Sequence, residues 1–139
     1  MSLPPAAALV DRYLRLCEER RLGEAGALLA PGARLVFPGG VTYPDLEAMA
    51  AGARRAYRWV RKPERQYAIA PGLDDTTTVT CRGTLTGEWL DGRPFAGIRF
   101  VDVLVLRGDL IAEQHVFNDL AIAARAAAAV PEQNLETMS

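Results

Sequence analysis

Asp102 and His115 are the residues of this chain best suited to moving a proton, and His115 is its sole histidine. Both lie in residues 92–120, GRPFAGIRFVDVLVLRGDLIAEQHVFNDL, where two apolar runs flank Gly108-Asp109. Gly followed by Asp suits a two-residue II′ hairpin turn. With those residues as the loop, Arg107 faces Leu110. The register then predicts Asp102 opposite His115, Phe100 opposite Phe117 and Leu104 opposite Glu113. Side chains in a strand alternate with period two, so these pairs share one face with Ile98 and Leu106. Val101, Val103, Val105, Ala112 and Val116 take the other. An Asp in so apolar a run costs several kcal/mol unless it is paired or protonated. A His across the ladder, with Cβ atoms roughly 5 Å apart, is a suitable partner. His115 then reads as a general base whose tautomer Asp102 fixes. The same pair also reads as a core histidine satisfied for structural reasons. A three-residue loop of Arg107, Gly108 and Asp109 instead puts Gln114 opposite Asp102 and sends His115 to the other face.

Other residues stand around this pair. Tyr13 lies on the apolar side of a helical pattern, where its hydroxyl serves either packing or a ligand. Phe37, Trp59, Phe100 and Phe117 suit the wall of a hydrophobic pocket, or plain core. Glu113 reads as a solvated carboxylate at its rim. Arg54, Arg55, Arg58, Arg61, Lys62 and Arg65 form a basic run at the expected end of a helix, where cations are favoured. It reads as a solvated face, with a site for a phosphate or cofactor tail at the pocket mouth as the sharper alternative. One His and two separated cysteines leave no metal-ligand set. There is no phosphate loop, dinucleotide fingerprint or nucleophile elbow, and no cofactor is expected.

The elements that must position these residues follow from periodicity and punctuation. Residues 4–22 read as an amphipathic helix opened by prolines and ended at Gly23. A short helix over 24–30 and a short strand over 33–37 come next. Residues 44–59 read as a third helix, and 66–70, 76–86, 93–106 and 110–118 as strands. A final short helix is expected through Ala128, and 131–139 as a flexible tail after one domain spanning 1–130. Helices followed by antiparallel strands make an α+β arrangement, with one curved sheet wrapped around the helices.

Bulk properties fit this picture. The 139 residues are 50% hydrophobic and 24% charged, the balance of a soluble globular domain. A net charge of −1 gives no electrostatic case for nucleic acid or an anionic membrane. Cys17 and Cys81 read as two buried reduced thiols. No run reaches the length of a membrane span, and the N-terminus lacks signal-peptide features, so a cytoplasmic protein is expected.

The element order, and above all PFAGIRFVDVLVLRGDLIAEQHVFNDL, resembles the nuclear transport factor 2-like superfamily and, within it, the SnoaL-like bacterial proteins, over residues 8–122. That resemblance implies a cone-shaped α+β roll around a deep apolar pocket for a small hydrophobic molecule, and a homodimer formed through the sheet. Tyr13 and Asp102 look like the oxyanion-stabilising pair of ketosteroid isomerases, while the position of their base is Phe37. Arg82-Gly83-Thr84 lacks the carboxylate of the limonene epoxide hydrolase triad. Polyketide cyclases of the SnoaL type pair an Asp with a His, which Asp102 and His115 resemble with the strands exchanged. The resemblance thus implies cofactor-independent proton transfer on a hydrophobic carbonyl compound, or a non-catalytic binding or dimerisation module of the same fold.

Overall fold

A computed structural model describes the protein over residues 2–129. Helix α1 (Pro5–Glu18) starts on proline, whose missing N–H is no loss in a first turn, and buries Ala7, Val10, Tyr13, Leu14 and Leu16. It ends before the expected Gly23. Arg20 takes a left-handed conformation, φ 59°, and turns the chain into α2 (Leu22–Gly26). The Arg20 guanidinium caps the turn by donating to the Cys17 carbonyl at 2.9 Å.

Strand β1 (Leu29–Phe37) pairs antiparallel with β2 (Val41–Tyr43). The link is Pro38-Gly39-Gly40, with φ of 82° and 76° at the two glycines. Helix α3 (Leu46–Ala53) is capped by Asp45, whose carboxylate accepts from the Ala48 N–H at 2.8 Å.

The third helix therefore stops well short of residue 59. From Tyr57 the chain becomes β3 (Tyr57–Pro71), of which the expected 66–70 is only the far end. Pairing along β4 (Thr76–Trp89) outweighs the weak helical pattern of residues 54–59. Pro63 falls where the β3–β4 register shifts, on a strand with one free edge, so its missing N–H disturbs little. Strands β5 (Pro94–Arg107) and β6 (Leu110–Asn118) and helix α4 (Leu120–Ala129) lie close to their expected limits. Residues 131–139, expected as a tail, lie outside the described residues.

The strands form one sheet in the order β2-β1-β6-β5-β4-β3, with β1 parallel to β6 and the other pairs antiparallel. The sheet is curved and unclosed, and the helices complete an α+β roll. Gly83 and Gly87 help it curve: a Cβ on either would strike a β3 carbonyl oxygen, that of Glu64 or of Trp59. Inside the curve, Tyr13 and Leu14 of α1 join Val79, Leu85, Leu104 and Ile111 of the sheet in one apolar cluster.

Charged groups lock α1 to β3. Arg65, its side chain only 6% exposed, donates to Glu18 at 2.7 Å, and Tyr67 donates to Asp11 at 2.7 Å. Burial pushes the Asp11 carboxyl up, but hydrogen bonds from Arg15 and Tyr67 outweigh it and leave its pKa lowered. Among the described residues, no helix is long and apolar enough to cross a membrane.

Candidate functional site in the concave face

The site is built on the β5–β6 hairpin. Its turn is the expected one: Arg107 pairs with Leu110 around Gly108, which has φ 61°. The register changes one pair later. Leu106 faces Ile111, but Val105 faces Glu113, so Ala112 is an extra residue bulged out of β6. Beyond it every side chain of β6 is on the opposite face from that expected. Asp102 faces Val116 on β6 and Cys81 on β4, while His115 faces Val103. The Asp102–His115 pair is therefore not formed. Phe117 pairs with Val101 rather than Phe100, and Glu113 with Val105 rather than Leu104.

His115, Glu113 and Phe117 lie on the convex face. There the His115 Nε2 is 2.9 Å from the Glu113 carboxylate, and Phe117 is 58% exposed. Trp59 also lies outside the cavity, its ring 5.1 Å from the Arg61 guanidinium.

The concave face holds a cavity of about 290 Å³. Two expected residues, Phe37 and Phe100, form part of its wall, with Tyr43, Tyr57 and Trp89. Asp102 lines it at 1% exposure, and its Oδ1 has no hydrogen-bond partner. Burial raises its pKa to about 6, against the pull of the positive charges on Lys62 and Arg65. A carboxyl that titrates near neutrality inside an apolar wall can take up or release a proton under ordinary conditions.

Tyr13 stands behind this wall rather than in it. Fully buried, it donates to the Gln114 Oε1 at 2.6 Å, and burial raises its own pKa well above that of a free phenol. Gln114 does reach the cavity, and with its oxygen held by Tyr13 its NH₂ is the end left to donate. Sequence reasoning reached Gln114 only through the three-residue-loop alternative; the actual cause is the bulge. Lys62, placed in a helix-flanking basic run by its neighbours, instead lines the cavity from β3. Among the described residues no three His, Cys, Asp or Glu side chains gather closely enough to hold a metal ion. Cys17 and Cys81 are free thiols.

A curved sheet closed by helices over an apolar cavity, with one buried carboxyl at its wall, defines the class of α+β rolls that hold small molecules. Residues 10–114 match the SnoaL-like domain family, and the chain belongs to it. No curated protein matches it by sequence. Among solved structures it is similar to an NTF2-like protein of unknown function from Burkholderia pseudomallei, with TM-score 0.70 and 18% identity over 88% of this chain and 97% of that one. A proposed polyketide cyclase from Xanthomonas campestris gives TM-score 0.69 and 15% identity over 87% and 95%. TerC, crystallised with polyporic acid, gives TM-score 0.69 and 16% identity over 88% and 97%. At these identities the likeness establishes the fold.

Proposed function

We propose that the concave cavity binds a hydrophobic carbonyl compound and that Asp102 moves a proton on it without a cofactor. The observation that carries this is the Asp102 carboxyl, buried in an apolar wall with Oδ1 unpartnered and a pKa raised to about 6. As carboxylate, Asp102 takes a proton from the carbon beside the carbonyl. The electron pair moves onto the carbonyl oxygen, and the Gln114 NH₂ donates to the resulting enolate. Returning the proton to another carbon gives isomerisation; attack by the carbanion on a second carbonyl gives cyclisation. Tyr13 acts through Gln114, as a positioning residue. His115 has no part in this scheme. A structural neighbour crystallised with polyporic acid, and another named for cyclase chemistry, are consistent with a pocket for such compounds.

Deuterium exchange tests the reading. 2-Tetralone incubated with the protein in D₂O is expected to exchange its C1 protons faster than in buffer, with Asp102→Asn lowering the rate about 10²–10⁴-fold and His115→Ala leaving it unchanged. Binding of the ketone without exchange would favour the non-catalytic ligand-binding role, for which Phe37 at the family's usual base position speaks. Neither binding nor exchange would sink both.

The partner proposed for the convex face is a second copy of the chain. Phe117 at 58% exposure and Val101 at 36% sit there beside Val103 and Val105, an apolar strip that a twofold contact would cover. Light scattering is expected to give a dimer for the native chain and a monomer for Phe117→Asp.

A further inference from the structure

We infer that the cavity selects ligands carrying an acidic oxygen, a carboxylate above all, and that Lys62 is the residue that reads it. The inference rests on the proposed small-molecule site and narrows its substrate class to apolar ring compounds bearing both a carbonyl and an acid group.

The charges around the cavity point to this. Three charged side chains besides Asp102 line it: Glu18, Arg20 and Lys62. Glu18 is already engaged, its carboxylate accepting from Arg65 at 2.7 Å. Lys62 forms no ion pair among the described residues; its ammonium stands 5.2 Å from the centre of the Phe100 ring, whose face is a weak substitute for an anion. Arg20 spends one N–H on the Cys17 carbonyl at 2.9 Å and retains others.

Both cations act on the same part of the wall, since both pull the Cys17 thiol down against the burial that raises it. Arg20 is exposed, Lys62 half-buried and Asp102 fully buried, so positive charge runs from the rim inward and meets a lone carboxyl at depth. An anionic group bound at Lys62 would give it the ion pair it lacks, since its present neighbours are the Phe100 face and, without direct contact, the Asp102 carboxyl on which it pulls. The rest of the ligand would lie against Phe37, Phe100 and Trp89, with its carbonyl towards Asp102.

The test compares 2-naphthoate with its methyl ester by calorimetric titration at neutral pH. The native protein is expected to bind the acid about tenfold more tightly than the ester. Lys62→Met should bring the two together by weakening the acid alone, and Lys62→Arg should keep the preference. Equal affinities in the native protein would overturn the role of Lys62 while leaving the apolar ligand site intact. Failure of both compounds to bind would overturn the site and the inference together. The native comparison needs no variant, so it decides the matter even if Lys62→Met does not fold.

Discussion

The two faces of the β5–β6 hairpin are made from neighbouring residues and have different chemistry. Inward, Asp102, Gln114 and Phe100 line an apolar cavity in which burial raises the carboxyl's pKa to about 6. Outward, His115 and Glu113 form a pair 2.9 Å apart that solvent reaches, with side-chain exposures of 29% and 37%. The residue types alone favour the outer pair, which contains the more familiar acid–base group. Burial favours the inner one. A titratable group becomes useful when its surroundings change the balance between its charged and neutral forms, as burial does for Asp102.

The largest effect should come from shifting the strand that separates the faces. Inserting one alanine between Ala112 and Glu113, with the bulge kept, would move every later β6 position one place along β5 and carry His115 opposite Asp102, but would also expose Val116 and put Gln114 out of reach of Tyr13. Chemical denaturation is expected to show a loss of more than about 4 kcal/mol, or no folded protein. A stable insertion variant with its His115 signals shifted by 2-tetralone would mean that the two faces can be exchanged.

Next comes the pH dependence of stability. The folded pKa of Asp102, about 6, lies above the unfolded value of 3.8. The folded state therefore holds a proton that the unfolded state releases between those values. The stability this contributes is complete below about pH 4 and is lost as pH rises through 6. Asp102→Asn should abolish that loss, making the variant more stable than the native chain above pH 6 by about 2–3 kcal/mol. Thermal melts from pH 4 to 8 would check it; parallel curves would place Asp102 in contact with water.

Tyr13→Phe is expected to cost about 1–3 kcal/mol in urea denaturation, because the buried Gln114 oxygen loses its donor. His115→Ala should change stability by no more than about 0.5 kcal/mol, the pair with Glu113 being open to solvent.

The fold was legible because its evidence is distributed. Alternation along β4, β5 and β6, the Gly108 turn and the apolar stripe of α1 each point the same way. The site was legible only at residues whose face does not depend on distant pairing: Phe37, Phe100 and Asp102. The bulge at Ala112 has no mark in sequence, since alanine suits a ladder as well as a bulge. One uncounted residue sent His115, Glu113 and Phe117 to the wrong face. The path of residues 54–62 was hidden differently. Alanine and arginine favour a helix locally, and only a partner strand distant in sequence, with Gly87 opposite Val60, draws the later part of this stretch into the sheet.

That strand has a further consequence. β3 ends the sheet, and its outer row of backbone N–H and C=O groups would extend over 15 residues. Such a row is a template on which any extended chain could add itself, the first step towards fibrils. Arg58, Arg61 and Glu64, all exposed, set charge along it, and Pro63 removes a donor in the midst of them. Part of the basic run, which looks like decoration of a helix end, thus lies on a sheet edge, where charge and proline work against the addition of another strand.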